Sequence, residues 1–571
     1  MKKRLWAFLL ALSVVLTACG VEEEQELGDF VVRASIGARP ETLDPAHVRG
    51  TAGQTVVSHL FENLLRWETG PNGQCTLAPG QAESYTAEES YDGSVTYTFT
   101  LRRGLEWSDG RSITAQDFLY TWRRLFDAEA PAAGLSNLAM LRGYEAAMAG
   151  DLEALGVAAP DRYTFTVTIE SPCAYFLDLF CAGVMTMPVP ERAVRRGRWG
   201  EDADHLVTNG PYTLESVDGE RAVLVRSGHY HDRKSVGPDQ LEFLWEGSYE
   251  DFASGELDLI DAIPAETLSL LNTDGISWQL GPVLSTYTLL LNNAAEPFDN
   301  EFVRRAFVQA IDLEALLAVL DSPTETAATG IVPRGVTERG APPAEEEPPE
   351  DDLPPLPGTE PEEPEEPTVW DFRAAGDANR TAAVLSAEER RSEAARLLAQ
   401  AGYPGGRGFP AVEYYYVNTA QNRLVAQTLR DQWMAALGVS VTIRAVSEEE
   451  LRQQLLDGTY TCASFPISSG INDASAFLSR WGTGKVGNLV RSNILAYDLL
   501  IEIAGVTFDT AAREAYLHDA EEILLDSCGV APLFFYGRGY AVASGLTGLC
   551  RQGSGIFHLQ HLRRPETEGT V

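Results

Sequence analysis

The sequence predicts an α/β protein that folds as several lobes. At roughly 100–200 residues per domain, its 571 residues are too many for one compact core. With 44% hydrophobic and 22% charged residues, the composition is that of a globular chain, which excludes a fully disordered or multi-span membrane protein. Segments with the two-residue period of strands alternate with segments of helical period, as is typical of mixed α/β folds.

The predicted strands and helices alternate in both halves of the chain. Alternating or clustered apolar residues predict strands at 30–36, 95–101, 163–169, 412–417, 439–446 and 530–536. Apolar residues at helical spacing predict helices at 55–65, 115–126, 386–401, 423–437, 448–456 and 511–525. Thr114 is a predicted N-cap, and Gly402 and Gly438 are predicted helix ends.

The N-terminus has the features of a secretory signal. Three basic residues at 2–4 precede an apolar run at 5–16, which is too short to span a bilayer. Leu16-Thr17-Ala18-Cys19 resembles a bacterial lipobox, which implies cleavage before Cys19 and lipidation of its thiol. A stray cysteine after an ordinary signal peptide is the alternative. We expect a protein held by lipid on the outer face of the membrane, in the bacterial cell envelope.

The charge of the chain argues against nucleic-acid partners. Asp and Glu number 83 against 44 Lys and Arg, for a net charge of −39, and a nucleic-acid backbone would repel such a chain. The segment 341–367 holds eleven acidic residues and ten prolines in twenty-seven positions. This composition predicts an extended, disordered surface insertion, with calcium or partner binding as the alternative.

Seven cysteines leave the disulfide pattern open. Six remain if Cys19 is lipidated, and six cysteines allow fifteen connectivities. Cys173 with Cys181, or Cys528 with Cys550, are conceivable pairs in an exported protein. The alternative for Cys173 and Cys181 is that both are small buried hydrophobic residues. No spacing resembles a zinc site.

No motif in the sequence predicts an enzyme or a bound cofactor. The chain lacks a phosphate-binding Gly-rich loop, a GxSxG nucleophile motif and an HExxH metal motif. His229, His231 and Asp232 form a small cluster of side chains that can ligate metals. Solvated histidines are the favoured interpretation, so we predict no metal site.

Several sequence blocks, in order along residues 30–545, resemble one family. The blocks are Leu43-Asp44-Pro45, Leu60-Phe61-Glu62-Asn63-Leu64, Leu77-Ala78-Pro79-Gly80, Trp107-Ser108-Asp109-Gly110, Thr114-Ala115-Gln116-Asp117-Phe118, Asn209-Gly210-Pro211-Tyr212, Val303-Arg304-Arg305-Ala306 and Leu397-Leu398-Ala399-Gln400-Ala401-Gly402-Tyr403. Together they resemble the family 5 extracytoplasmic solute-binding proteins, which serve oligopeptide and dipeptide ABC importers.

The resemblance implies a two-lobed periplasmic-binding-protein type II fold with an extra domain. The two hinge strands would cross between the lobes near Leu284 and Val530, and a ligand in the cleft would stabilise closure. The implied parts are a signal peptide (1–19), a tether (20–27), lobe I (28–61, 187–284 and 533–571), an additional domain II (62–186), lobe III (285–532) and the acidic insertion (341–367).

The resemblance also implies ligand-binding residues on three segments. A backbone loop of the family matches Arg49, Gly50 and Thr51. An aromatic residue of a family Tyr-Trp pair matches Tyr230. Arg423 aligns with a family histidine beside the cleft and is expected to meet an anionic end of the ligand.

A fourth matching segment departs from the family pattern. Gly470 stands where the resemblance places an aspartate that binds the amino terminus of a peptide, and Pro466 removes a backbone donor nearby. Asp473 is a candidate replacement, with capping of the next helix as the favoured alternative. A family cysteine pair matches Ser285 and Ser468. The predicted ligand-binding residues in this segment are Pro466, Ile467, Ser468, Gly470 and Asp473.

The resemblance implies a monomeric lipoprotein that captures an oligopeptide-like solute and delivers it to the permease subunits of an ABC importer. Two alternatives remain. One is a binding protein for a metal chelate, haem or oligosaccharide. The other is a surface sensor or adhesion lipoprotein that does not serve transport.

Overall fold

The computed structural model describes residues 30–70, 75–132, 134–200, 202–264, 267–268, 277–339, 369–372, 386–507 and 509–564. The predicted signal peptide, the tether and the acidic segment all lie outside the described residues. Within the described ranges, every helix is too short or too polar to cross a membrane.

The described residues form a mixed α/β structure, which confirms the predicted fold class. The strands are β1 (Val31–Ser35), β2 (Leu65–Thr69), β3 (Cys75–Pro79), β4 (Ala82–Glu89), β5 (Val95–Leu101), β6 (Val157–Ala158), β7 (Thr164–Ile169), β8 (Tyr212–Val217), β9 (Arg221–Arg226), β10 (Gln240–Leu244), β11 (Leu259–Ile263), β12 (Gln279–Leu291), β13 (Thr326–Ala327), β14 (Thr337–Arg339), β15 (Val369–Asp371), β16 (Val412–Val417), β17 (Val441–Val446), β18 (Cys462–Ser468), β19 (Val530–Val542), β20 (Cys550–Arg551) and β21 (Phe557–His558). The α-helices are Gly50–Leu60, Ala115–Arg124, Tyr144–Met148, Glu191–Val194, Tyr249–Ala253, Glu301–Gln309, Leu313–Leu320, Ala387–Gln400, Ala420–Leu437, Glu448–Asp457, Ser475–Leu478, Leu495–Val506 and Thr510–Asp526.

One large sheet joins the two lobes of the molecule. Its strand order is β17-β16-β18-β12-β19-β11-β1-β10-β9-β8, and β13 also pairs with β19. We call the part around β1 and β8 to β11 the first lobe and the part around β16 to β18 the second lobe. The long strands β12 and β19 lie between the lobes and pair with each other. On the outer sides, β12 pairs with β18 of the second lobe and β19 pairs with β11 of the first lobe.

The ladder between β12 and β19 is interrupted between Pro282 and Thr286. This interruption brackets Leu284, where the sequence predicts that one hinge strand crosses. Val530, the second predicted position, is the first residue of β19. The domain boundaries themselves stay a prediction.

A smaller sheet, β4-β5-β7-β6, forms the centre of a third part that we call the small-sheet domain. In β5 every second side chain is buried, because Val95, Tyr97, Phe99 and Leu101 all face one core. That core also contains Trp122 from the helix Ala115–Arg124. Its residues form a hydrophobic cluster separate from those of the two lobes.

Most predicted elements are present, with one clear error at the start of the chain. The helix predicted at 55–65 spans Gly50–Leu60, and Leu65 already begins β2. Phe61, Leu64 and Leu65 are apolar because they are buried in the cores of the first lobe and the small-sheet domain, not because a helix continues through them. The predicted cap at Thr114 is confirmed, since Thr114 and Asp117 form a capping box.

The two conceivable disulfides of the sequence are both wrong. Cys75 in β3 is bonded to Cys550 in β20, with 5.3 Å between their Cα atoms. Cys173, Cys181, Cys462 and Cys528 are free. Cys75 and Cys550 are 475 positions apart in the sequence. The two cysteines meet only because the β2–β3 hairpin packs against the C-terminal segment.

Loss of this bond is expected to destabilise the protein. Cys75→Ser should lower the free energy of unfolding by about 2–4 kcal/mol, because the cross-link restricts the unfolded chain over a long loop. Urea unfolding with and without a reducing agent measures this. The reducing agent should shift the wild-type midpoint and leave that of Cys75→Ser unchanged. Cys173→Ser, which changes a free thiol, is the control. An unchanged wild-type midpoint under reduction contradicts the pairing.

Candidate functional site

A cavity of about 400 Å³ lies where the two lobes and the small-sheet domain meet. Its walls come from segments that are far apart in the sequence. The lining residues are Gln54, Ser58, Trp67, Asn137, Asp178, Leu179, Phe180, Ala182, Gly183, Val184, Met185, Ser469, Gly470, Ile471, Gln552, Ser554, Ile556 and His558. Apolar walls interspersed with a few hydrogen-bonding groups are typical of small-molecule sites.

The first lobe contributes one helix and one hairpin to the cavity. The helix Gly50–Leu60 presents Gln54 and Ser58, and the predicted residues Arg49, Gly50 and Thr51 lie at its N-terminal end. Arg49 and Gly50 are exposed. The predicted loop therefore lies one helical turn from the cavity wall.

The hairpin of β20 and β21 forms the neighbouring wall with Gln552, Ser554 and Ile556. Thr51 comes close to this hairpin, because its methyl carbon lies 3.4 Å from where a Cβ at Gly555 would stand. The Cys75–Cys550 disulfide anchors the hairpin at its base. The sequence did not predict the hairpin, since Gln552-Gly553-Ser554-Gly555 matches no motif.

The second lobe reaches the cavity through the chain that leaves β18. The predicted residue Gly470 lines the cavity together with Ser469 and Ile471. A Cβ at Gly470 would meet no atom within 4 Å. Ile467 points into the core of the second lobe and is 1% exposed, while Pro466 is half-buried.

Ser285 and Ser468 stand opposite each other in the β12–β18 ladder. Their hydroxyl oxygens are 2.8 Å apart and form a hydrogen bond. This position at the end of β18 is the one where the family resemblance places a cysteine pair.

The pair Ser285→Cys and Ser468→Cys is expected to form a disulfide on oxidation. Residues directly opposite in an antiparallel pair have Cα atoms about 4.5–5.5 Å apart, which lies inside the range that disulfides allow. Alkylation followed by mass spectrometry measures the free thiols. Thr288→Cys with Ser468→Cys is the control, because Thr288 pairs three residues away with Phe465 and should stay reduced. Full alkylation of the first pair contradicts the register.

Asp473 does not line the cavity, and its carboxylate has partners within the second lobe. Its Oδ1 accepts a hydrogen bond from Arg513 Nη2 at 2.7 Å and from the Ser475 backbone N–H at 2.8 Å. Asp473 is 6% exposed. The alternative that the sequence favours, a contact with the start of the following helix, agrees with the Ser475 bond. A role of Asp473 in ligand binding stays a prediction.

Tyr230 does not line this cavity, because it is buried in a polar network. Its hydroxyl donates to Glu62 and accepts from Arg66 Nη1 at 3.1 Å. His231 Nε2 is 2.6 Å from Glu62 Oε2, and Arg66 Nη2 is 2.9 Å from Asp232 Oδ2. Burial alone would raise the pKa of Glu62, but the hydrogen bond and charge of His231 and the charge of Arg66 hold that pKa below its usual value.

This network joins the first lobe to the small-sheet domain, and it also accounts for the histidine cluster. His231 binds Glu62, and His229 Nδ1 lies 2.9 Å from Glu106 Oε2. Across the described part of the chain, no three potential metal ligands come together. Tyr230 as a ligand contact stays a prediction.

Arg423 lies outside the cavity, on the exposed side of the helix Ala420–Leu437. Its Nη2 donates to Asn418 Oδ1 at 3.0 Å. The predicted contact with an anionic ligand end therefore requires that the ligand or the lobe move toward it. This contact also stays a prediction.

The small-sheet domain supplies a wall that the sequence did not predict. A π-helical turn, Leu177–Cys181, places Asp178 and Leu179 on the cavity. Leu177, Phe180 and Cys181 face the core of the domain, and burial raises the pKa of the Cys181 thiol. Single π-helical turns are rare in proteins overall, but those that occur are frequently at functional sites. The sequence Leu-Asp-Leu-Phe-Cys carries no signal that predicts one.

The family model and the related proteins that match this chain agree on one family. The model of the bacterial extracellular solute-binding proteins, family 5 (middle), matches residues 76–488. The periplasmic murein peptide-binding protein MppA of Escherichia coli (strain K12) is 28% identical over 538 residues, with 92% of this chain and 90% of MppA covered. The periplasmic oligopeptide-binding protein OppA of Salmonella typhimurium (strain LT2) is 29% identical over 536 residues, covering 91% of this chain and 90% of OppA.

The structure is similar to an open form of a two-lobed binding protein. Unliganded, open MppA superposes with a TM-score of 0.78 at 25% identity, covering 94% of this chain and 98% of MppA. A second MppA structure gives a TM-score of 0.62 with the same identity and coverage. The structure of this chain is therefore more similar to the unliganded, open form of MppA than to that second structure.

Proposed function

This chain belongs to the bacterial extracellular solute-binding proteins of family 5, and we propose that it captures an oligopeptide-like solute for import. The family consists of binding proteins, and the proposed activity is reversible binding without chemical change. The solute would enter the cavity between the two lobes and the small-sheet domain. The two lobes would then close over it about β12 and β19.

The cavity carries this proposal, because all three parts of the molecule contribute to its walls. A ligand that contacts both lobes binds the closed arrangement better than the open one, and such a difference is what shifts a conformational equilibrium. The similarity to unliganded, open MppA supports an open resting state.

Two observations support a peptide as the ligand. MppA and OppA are named as peptide-binding proteins and align with nine-tenths of this chain. The cavity also presents neutral groups that both donate and accept hydrogen bonds, at Gln54 and Asn137. Such groups match the amide N–H and carbonyl groups of an extended peptide backbone.

The proposed setting is the outer face of the bacterial membrane. The lipobox at Leu16-Thr17-Ala18-Cys19 supports lipid anchoring through Cys19. The relatives support delivery to the permease subunits of an ABC importer. We propose a monomer, because one chain supplies all the walls of the cavity.

Thermal unfolding of ligand-stripped protein with pools of two- to eight-residue peptides tests the function. A ligand at about 100 times its dissociation constant should add about 2.7 kcal/mol, which raises the unfolding temperature by a few degrees. The variant Gly470→Trp should abolish this shift, because a side chain at Gly470 points into open space on the cavity wall.

Gly505→Trp is the matched control. A Cβ at Gly505 would also meet no atom within 4 Å, but this glycine lies in the helix Leu495–Val506, exposed and away from the cavity. A shift that survives Gly470→Trp would place the ligand elsewhere. No shift with any pool would overturn the peptide proposal and favour a non-peptide solute or a sensor without transport.

A further inference from the structure

The charge of the cavity wall is the observation that leads beyond the proposed function. Among the described residues that line the cavity, Asp178 is the one carboxylate, and none is a lysine or an arginine. The lining histidine, His558, is neutral at physiological pH, because burial and the nearby His59 lower its pKa to about 3. A ligand in this cavity therefore meets fixed negative charge at one place.

The backbone that carries Asp178 is held in a defined position. The π-helical turn Leu177–Cys181 is anchored in the core by the buried side chains of Leu177 and Phe180. A Cβ at Gly183 would lie 1.9 Å from the Leu179 carbonyl oxygen, so the chain turns back tightly after the π-helical turn. Asn63 Nδ2 donates to the Gly183 carbonyl at 2.7 Å and fastens this segment to the loop that follows the first helix.

The cavity-lining residues of the second lobe and of the hairpin carry no charge. Gly470 in the second lobe lines the same cavity and bears no side chain. Its neighbours Ser469 and Ile471 are neutral, as are Gln552 and Ser554 of the hairpin. A cationic group on the ligand therefore finds its counter-charge on the small-sheet domain and not on the second lobe.

We propose that Asp178 binds the ammonium group at the amino terminus of the peptide ligand. A carboxylate and an ammonium group form a charge-assisted hydrogen bond, which is about twice as strong as a neutral one. Asp178 already interacts within the protein, and the ammonium group would join or displace that interaction. The assignment rests on the proposed function, and it orients the peptide with its amino end toward the small-sheet domain.

Calorimetric titration of the purified protein with matched peptides tests this assignment. The probes are trialanine, tetra-alanine and the tightest-binding peptide of the pools, each with a free and with an acetylated amino terminus. The wild type should prefer the free terminus. Asp178→Asn should weaken binding of the free form by about 10- to 100-fold and leave the acetylated form unchanged. Asp151→Asn, an exposed carboxylate of the same domain, should change neither.

A second variant separates the charge of Asp178 from its part in the local fold. Asp178→Glu keeps a carboxylate on the same wall of the cavity. It should retain a preference for the free terminus. If Asp178→Asn weakens binding of the free and the acetylated peptides equally, Asp178 acts only through its turn and the assignment is overturned.

The other possible outcomes also test the assignment of Asp178. Equal wild-type affinity for free and acetylated peptides, or a preference that survives Asp178→Asn, overturns the assignment and leaves the proposed function intact. A surviving preference would direct attention to Asp473. Failure of every peptide to bind the wild type would overturn the proposed function, and the assignment with it.

Discussion

Acidification from pH 7.5 to pH 4 is expected to destabilise this protein by about 3 kcal/mol for each of two buried histidines. His59 is 0% exposed and His558 is 6% exposed. Burial lowers the pKa of His59 to about 4 and that of His558 to about 3. The unfolded chain takes up a proton at each histidine near pH 6.5, whereas the folded protein does not. Stability is therefore lost as the pH falls through this window.

Burial lowers the pKa of His59, and the hydrogen bond that Nε2 accepts acts in the same direction. Nδ1 donates to the Thr55 carbonyl at 2.7 Å, and Nε2 accepts from the Leu559 backbone N–H at 2.8 Å. A proton on Nε2 would face that N–H group and break the link between the first helix and the C-terminal segment. The rings of His59 and His558 are 6.3 Å apart, so two positive charges there would also repel each other.

Urea unfolding midpoints at several pH values between 7.5 and 4 measure the effect. His558→Gln removes one titrating group while keeping a polar side chain, and it should flatten the pH dependence relative to the wild type. His229→Gln is the control, because His229 is exposed and paired with Glu106, and it should keep the wild-type slope. An unchanged slope in His558→Gln contradicts the prediction.

The sequence alone was informative wherever one local pattern decides the structure. Alternation in Val95–Leu101 identified a strand with one buried face, and Thr114 identified a helix start. The helix predicted at 55–65 was extended too far, because Phe61, Leu64 and Leu65 are apolar through burial in the cores of two parts of the molecule and not through a helix. Hydrophobic periodicity cannot separate these two causes of an apolar run.

The cavity could be predicted only in part, because its walls meet through tertiary packing. The resemblance directed attention to Gly470, which lines one wall, and the role of this position toward a ligand stays a prediction. The resemblance gave no information on the π-helical turn Leu177–Cys181 or on the hairpin of β20 and β21, whose residues follow no motif. The Cys75–Cys550 pair was missed for the same reason: two cysteines at opposite ends of the chain carry no mark of their partner.

Three sets of contacts share one role in the molecule. The Cys75–Cys550 disulfide, the network of Glu62 with Tyr230 and the bond from Asn63 to Gly183 all fasten the small-sheet domain to its surroundings. The first two attach it to the first lobe. These contacts fix the cavity wall of the small-sheet domain relative to that of the first lobe.

Arg513→Met is expected to lower the free energy of unfolding by about 3–5 kcal/mol. Arg513 lies in the helix Thr510–Asp526 with its side chain 7% exposed, between the carboxylates of Asp473 at 2.7 Å and Glu514 at 2.9 Å. Removing the guanidinium leaves two carboxylates of low exposure beside each other. Urea unfolding at pH 7.5 measures the cost.

Two further variants distinguish an effect of charge from a loss of packing. Arg513→Met combined with Asp473→Ala should be less destabilised than Arg513→Met alone, because one of the two unpaired carboxylates is gone. Arg396→Met is the control, since Arg396 is 59% exposed and pairs with Glu393 on a helix surface, where such a pair contributes at most about 1 kcal/mol. If the double variant is instead the sum of its single changes, Asp473 and Arg513 are not coupled. Asp473 would then be available as a ligand contact.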